Sequence, residues 1–272
     1  MGTENLINYT RQYYRLNNDF RSNIILTQLF QAETIKFAVE AHRRGMPYCM
    51  GTLYWQFNDC WPGISWSSID YSGFWKAIHY YARNFFRPIL LSLYDQKDYI
   101  EVHVVNDMHK SFYARLELTS HKFDGDTIFQ KSLNVKIKPF SSSMIERIKK
   151  TTLVGNNDHS KIYTRATISS EDKLLAFNDL FLKKAKFRDI RKPKYDYKLI
   201  INNDRYFIVI SAISFIHQLC ISSGNIRGIF SENYINMIPG QVVQIEFKPD
   251  YNIEDLVEPL AFKIDTLYEL MY

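Results

Sequence analysis

Tryptophan is missing from most of this 272-residue chain, since all four tryptophans lie between Gly51 and Lys76. Long apolar runs are also missing. None approaches the roughly 18 residues of a membrane-spanning helix, and we expect no membrane partner. The aromatic motif, zinc-finger spacing and heptads of nucleic-acid-binding proteins are absent too, and we expect no nucleic-acid partner. The composition is otherwise that of an ordinary globular protein, with 46% hydrophobic and 23% charged residues.

Cysteine is scarce, and the chain contains Cys49, Cys60 and Cys220 alone. Cys49 and Cys60 flank a predicted strand, which would hold them farther apart than the roughly 7 Å that a disulfide allows. We therefore predict three free thiols. No Cys/His pair has the spacing of zinc ligands, and the histidines form no recognisable Ser/Cys–His–Asp pattern. The sequence thus predicts neither a metal site nor a nucleophilic triad.

The first 88 residues show the pattern of an α/β fold. A helix is predicted from Ser22, its N-cap, to Gly45, because apolar residues recur there at spacings of three and four. A short strand that is apolar on both faces is predicted over Gly51–Phe57, and a second helix over Phe74–Phe86. Because a buried strand needs neighbours on both sides, residues 1–88 are expected to be the end of a larger α/β domain.

Two β-rich regions are predicted after this piece. Residues 89–192 alternate apolar and polar side chains in about seven strands, as in an immunoglobulin-like sandwich. The basic run Lys183–Lys198 marks a boundary and is predicted to be a solvated linker, with an anion-binding patch as the alternative. Residues 193–272 resume the strand pattern, with a turn at 202–204, and predict a second, smaller sandwich.

The tryptophan-rich segment closely resembles the β-mannosidases of glycoside hydrolase family 2 over Met46–Arg83, MPYCMGTLYWQFNDCWPGISWSSIDYSGFWKAIHYYAR. The upstream stretch QLFQAETIKFAVEAHRR is similar to the same family. The resemblance implies an α+β multidomain chain. Residues 1–88 would be the C-terminal end of a TIM (β/α)8 barrel, namely its last helix, strand and helix. Residues 89–192 and 193–272 would be two immunoglobulin-like β-sandwich domains.

The resemblance also implies a chemistry, the retaining hydrolysis of terminal β-mannosyl residues. The substrate would be a β-mannoside in an oligosaccharide or a glycoprotein glycan, with neither a metal nor an organic cofactor. The family uses two glutamates on barrel strands four and seven, and no residue here matches them, so no catalytic residue is expected in this chain. Asp59 and Asp70 lie in the corresponding loop but do not replace those glutamates. The implied compartment is lysosomal, secreted or periplasmic.

Trp55, Asn58 and Asp59 are the candidate substrate-binding residues. Trp55 lies at the end of the predicted strand, and pyranose rings stack their apolar faces on tryptophan. By resemblance, it forms one wall of the subsite for the cleaved mannose. Asn58 and Asp59 are expected either to bind sugar hydroxyls or to brace the loop. Three further tryptophans are predicted to be structural: Trp61 and Trp66 within the loop, and Trp75 in the core.

Two functions remain open at this point. In the first, the chain is the C-terminal part of a β-mannosidase, inactive alone, whose protein partner is the missing barrel portion or a second copy. In the second, it is a non-catalytic β-sandwich protein for carbohydrate binding or protein interaction, with a relic barrel segment.

Overall fold

The computed structural model describes residues 2–202, 205–224, 226–250 and 261–272, so Asn203 and Asp204 of the predicted turn lie outside the described residues. The chain divides into two compact units. The terminal unit comprises Met1–Glu33, Tyr54–Tyr81 and Ile190–Tyr272, and the central unit comprises Thr34–Leu53 and Ala82–Asp189. The helices are α1 Gly2–Arg11, α2 Phe20–Arg44, α3 Ala77–Phe85, α4 Lys150–Val154 and α5 Leu267–Met271. None of these described helices combines the length and apolarity of a membrane span.

The helix predicted from Ser22 is present as α2, but it begins at Phe20. The carboxylate of Asp19 accepts hydrogen bonds from the backbone N–H of Ser22 at 2.8 Å and from the Ser22 hydroxyl at 2.6 Å. These hydrogen bonds lower the pKa of Asp19. The cap is therefore Asp19 rather than Ser22, since a carboxylate before the first turn satisfies free N–H groups of the helix.

The strand predicted over Gly51–Phe57 is not formed. Among the described residues, the nearby backbone pairings are isolated bridges that join Asn58 to Ile69 and Ile69 to Trp75. A strand in a parallel sheet receives its hydrogen bonds from strands beside it, and this segment has no such neighbour in the described part of the chain. The second helix is also shorter than predicted and begins at Ala77.

The central unit contains a sandwich of seven strands, the number that the alternation predicts. They are β1 Ile89–Asp95, β2 Tyr99–Asn106, β3 Phe112–Lys122, β4 Thr127–Ile137, β5 Ser141–Lys149, β6 Ile162–Ser170 and β7 Lys173–Leu180. One sheet has the order β1-β2-β5 and the other β4-β3-β6-β7, with antiparallel neighbours. Alternate residues of both sheets face a common core, which includes Leu91, Val102, Leu116 and Ile168.

The terminal unit contains the second sandwich. Its strands are β8 Tyr195–Asn202, β9 Arg205–Ala212, β10 Ile216–Ser222, β11 Gly228–Phe230, β12 Ile235–Met237, β13 Val242–Pro249 and β14 Lys263–Asp265. The described strands form a four-stranded sheet, β11-β13-β9-β8, and a three-stranded sheet, β12-β10-β14. Ile208, Ile210 and Phe247 pack in the core together with Tyr80 of α3. The three cysteines are free, as predicted; burial raises the pKa of Cys220 to about 12.

A buried carboxylate ties α2 to the sandwich within the central unit. Glu40 accepts a hydrogen bond from the Ser92 hydroxyl of β1 at 2.6 Å and from the Asn178 amide of β7 at 3.1 Å. Lys36, one turn earlier on α2, lies 3.0 Å from the same carboxylate and donates to Asn178 at 2.9 Å. Because each polar group has a partner, the desolvation cost of burying Glu40 is offset.

We expect Glu40→Ala to destabilise the central unit by about 2 kcal/mol, because the buried polar groups of Ser92 and Asn178 then lose the Glu40 carboxylate as a hydrogen-bond partner. Chemical denaturation would measure the change in the free energy of unfolding. Glu117→Ala is the matched control, since Glu117 pairs with Arg115 on the surface and should change stability by less than about 1 kcal/mol. Equal effects of the two substitutions would contradict the role given to Glu40.

Candidate functional site

The three candidate sugar-binding residues occupy different environments in the terminal unit. Trp55 is 76% exposed, so most of its ring faces solvent. Asn58 is also exposed, and its amide nitrogen donates to the backbone carbonyl of Asp59 at 3.2 Å. Asp59, in contrast, is buried. The two exposed side chains are accessible to a ligand, whereas the carboxylate points into the loop.

The Asp59 cluster, defined as Asp59, Ser65, Ser67 and Lys76, holds the loop after Trp55. The ammonium group of Lys76 lies 3.0 Å from Asp59 Oδ2 and donates to the Ser67 hydroxyl oxygen at 2.7 Å. The Ser65 hydroxyl donates to Asp59 Oδ1. Both charged side chains are largely buried, and such a pair stabilises a structure only when hydrogen bonds satisfy its remaining polar atoms. The serines supply those bonds.

The electrostatics of the cluster keep Asp59 ionised. Burial raises the pKa of this carboxyl, but hydrogen bonds from Ser65, Lys76 and Ser67 outweigh burial, so the pKa of Asp59 is lowered overall. A general acid must instead hold a proton near neutral pH, which requires a raised carboxyl pKa. The chemistry that suits Asp59 is therefore charge pairing within the loop.

A second set of contacts fixes the backbone around Trp55. The Ser68 hydroxyl donates to the carbonyl of Phe57 at 2.8 Å and accepts from the Tyr54 hydroxyl at 3.1 Å. The Ser68 oxygen also lies 3.1 Å from Nδ1 of His79, whose ring packs 4.3 Å from that of Trp75. The residues on either side of Trp55 are thus held by side chains of the same unit, although no sheet is formed there.

Of the remaining tryptophans, Trp75 alone behaves as predicted. It is half-buried, packs against the core of the terminal unit and lies 5.4 Å from the ring of Tyr80. Trp61 and Trp66 are exposed, so the prediction that they pack within the loop is wrong. The backbone of Trp66 is nevertheless anchored, since Gln31 of α2 donates to its carbonyl at 2.8 Å.

The site contains carboxylates with structural partners. Asp70 accepts a hydrogen bond from the backbone N–H of Phe74 at 3.0 Å, and Asp59 is held by Lys76. Within the described residues, no group of three or more His, Cys, Asp or Glu side chains is placed to hold a metal ion. The described site therefore offers an exposed aromatic ring on a braced loop, with the exposed Asn58 amide three residues later in the chain.

Lys76, Ser65 and Ser67 are the residues of the site that sequence reasoning misses. Lys76 lies 17 positions from Asp59 and follows no periodic pattern with it. In the sequence, the one indication of an ion pair is Asp59 itself, an acidic residue in an aromatic loop. This does not identify Lys76 as its partner.

Two protein-family models match the chain. The model described as "Mannosidase Ig/CBM-like domain" matches residues 98–186, and the model described as "Ig-fold domain" matches residues 190–270. The fold is mostly β-sheet with few helices, and both sandwiches are immunoglobulin-like.

Several β-mannosidases are similar in sequence. The chain is 34% identical to β-mannosidase of Mus musculus over 133 residues, which is 44% of this chain and 15% of the mouse protein. It is 28% identical to β-mannosidase A of Emericella nidulans over 251 residues, which is 84% of this chain and 26% of the fungal protein. The matched part is thus about a quarter or less of the length of these relatives.

Solved structures share the fold over nearly the whole chain. The β-D-mannosidase of Dictyoglomus thermophilum superposes with a TM-score of 0.84 at 24% identity, over 97% of this chain and 32% of that protein. The exo-chitosanase of Amycolatopsis orientalis gives a TM-score of 0.71 at 11% identity, over 92% of this chain and 34% of that protein. Family models and sequence relatives agree with the shared fold, and the chain matches a C-terminal portion of the β-mannosidases.

Proposed function

We propose that this chain acts as the C-terminal part of a retaining β-mannosidase, in which it supplies one wall of the sugar subsite and the accessory β domains. The relatives named β-mannosidase support the substrate class, a terminal β-mannoside. The observation that carries the proposal is the exposed ring of Trp55 on a loop that the Asp59 cluster braces. An aromatic ring that is held in solvent can receive a pyranose without reorganising the loop.

The domain assignment is part of this proposal. Residues 1–88 correspond to the end of a TIM barrel, residues 89–192 to one immunoglobulin-like domain and residues 193–272 to a smaller one. The exposure of Gly51–Phe57 supports the first assignment, because Leu53, Trp55 and Phe57 are exposed with the period of two that a strand has. We propose that this segment becomes the eighth barrel strand when neighbouring strands are present.

The binding residues then divide by role. Trp55 stacks on the apolar face of the mannose, and the exposed Asn58 amide hydrogen-bonds a hydroxyl at the rim. For Asp59 the geometry favours bracing over direct binding, since Lys76 and Ser65 already occupy both carboxylate oxygens. Asp59 therefore contributes to sugar binding by keeping the loop in place.

Hydrolysis with retention of configuration needs catalytic groups that this site lacks. The reaction uses two carboxyl groups about 5 Å apart, one as nucleophile and one as acid/base. Asp59 and Asp70 are engaged with Lys76 and with the Phe74 N–H, as described above. The proposal therefore assigns catalysis to carboxylates outside this chain.

The alternative function, a carbohydrate-binding sandwich, requires an exposed aromatic platform on a β-sheet. Tyr113 and Phe177 of the central unit are exposed. However, Lys136 lies 5.5 Å from the ring centre of Tyr113, and Arg165 lies 5.2 Å from that of Phe177. These cations lie over the ring faces that a sugar would need, which disfavours these two rings as a sugar platform.

We expect the purified chain to release no chromophore from a chromogenic β-mannoside above the buffer blank, because a retaining glycosidase needs a carboxyl pair. A spectrophotometric assay would measure this, with a full-length β-mannosidase as the positive control. Turnover that co-purifies with the chain would contradict the proposal.

We expect weak binding of a β-linked mannobiose at Trp55, with a dissociation constant on the order of 1 mM or weaker, since one wall of a subsite gives limited contact. Nuclear magnetic resonance would follow the four indole N–H signals during titration. The signal that Trp55→Ala removes should shift in the wild type. Trp61→Ala is the matched control and should leave that shift unchanged. Shifts confined to the other tryptophans would contradict the assignment of Trp55.

We expect Asp59→Asn to loosen the loop, since Lys76 then loses its charged partner. Limited proteolysis within residues 58–75 should become about tenfold faster, while Asn58→Ala, the matched control, should change it little. The folded pKa of Asp59 lies below the unfolded value near 3.9. The contribution of this carboxylate is therefore complete above that unfolded value and is lost as pH falls through the lowered folded pKa. Equal cleavage rates in both variants would contradict the bracing role.

A further inference from the structure

Strand β8 lies at the end of the four-stranded sheet in the terminal unit. In the described part of the chain, its eight residues pair with β9 alone, from Tyr195 opposite Ala212 to Asn202 opposite Arg205. Its second side therefore presents backbone N–H and C=O groups in a row, which is a template for pairing with another strand.

The side chains of β8 are exposed as well as its backbone edge. Leu199 is opposite Ile208 and Tyr197 is opposite Ile210, and both isoleucines are buried in the core. Neighbours opposite each other in a sheet point to the same face, so Tyr197, Leu199 and Ile201 lie on the core-facing side. They are nevertheless 59%, 41% and 62% exposed. The opposing sheet has three strands, two of them with three residues each, and leaves this row uncovered.

The strand carries few of the features that protect natural edge strands. It contains no proline, and its pairing with β9 shows no bulge. Asp196 and Lys198 are its charged residues, and both alternate with the apolar row rather than interrupting it. A long edge of this kind, with a row of exposed apolar side chains, is stable in solution when another strand covers it.

We propose that β8 is a dimerisation strand, which pairs antiparallel with β8 of a second copy around a two-fold axis at Leu199. The two four-stranded sheets then form one continuous antiparallel sheet across the dimer.

Self-complementarity points to a second copy as the partner. With the axis at Leu199, each Tyr197 is opposite Ile201 of the other copy and the two Leu199 side chains meet, so the uncovered rows meet each other. On the other face, Lys198 is opposite Ile200 and Asp196 is opposite Asn202, so no like charges are paired. An axis at Lys198 would instead place two lysines opposite each other, which destabilises a sheet.

Sedimentation velocity over a concentration series tests this with the intact chain. The wild type should form a dimer, and Leu199→Lys should weaken it at least about tenfold, because two lysines would then meet at the axis. Ile201→Lys is a second variant at a more exposed position, in case Leu199→Lys impairs folding. The matched control is Ile213→Lys, which replaces a 57% exposed isoleucine of the same unit outside the strand.

Hydrogen exchange identifies the surface through which the two copies associate. The amides of residues 196–202 should become protected as the dimer forms, and Ile201→Lys should remove that protection. A Leu53→Lys variant tests association through the exposed Gly51–Phe57 segment and should leave the dimer intact. A wild type that stays monomeric, a dimer that Leu53→Lys abolishes, or one that survives both β8 substitutions would overturn the proposal. So would β8 amides that are already protected in a monomer.

Discussion

Backbone hydrogen bonding across the sides of extended segments is the constraint on which the rest of this structure depends. A strand needs a neighbour for its N–H and C=O groups. Seven strands of the central unit find such neighbours and enclose a core. Gly51–Phe57 has apolar side chains suited to a strand but lacks neighbouring strands among the described residues, and it forms no ladder. Side-chain hydrogen bonds, together with a few backbone ones from Ser68 and Ile69 to the carbonyl of Phe57, therefore replace the sheet as the support of the candidate site.

This replacement explains why the polar residues around Trp55 have structural partners. Lys76 and two serines hold Asp59, and Ser68 holds the carbonyl of Phe57. Such bonds fix the loop, and they also use the acceptors that a sugar hydroxyl would need. Under the proposed function, rigidity and direct binding are thus divided between neighbouring residues: Asp59 gives the first, and Trp55 with Asn58 supplies the second. A preformed site of this kind loses less conformational entropy on binding.

The sequence predicts best where structure is local. The period of α2 and the alternation of β1–β7 are visible in short windows, and both predictions are confirmed. The cap of α2 is Asp19, three residues before the predicted Ser22, and the hydrogen bonds of the cap join these two residues. The prediction of a strand over Gly51–Phe57 is wrong, because a strand forms only beside neighbouring strands, which a short sequence window does not contain. The partnership of Asp59 with Lys76 and the exposure of Trp61 and Trp66 likewise depend on tertiary contacts that no window contains.

Four of the six carboxylates in the first 88 residues have structural roles. Asp19 caps α2, Glu40 joins α2 to the sandwich of the central unit, Asp59 pairs with Lys76, and Asp70 holds the turn before Trp75. A carboxyl group can serve as nucleophile or acid/base only if its oxygens are accessible to the reacting sugar. Since these four are already bonded within the chain, the proposed enzyme separates its tasks between regions. Under the proposed function, this region fixes the aromatic wall, and the acid–base chemistry is assigned to residues outside this chain.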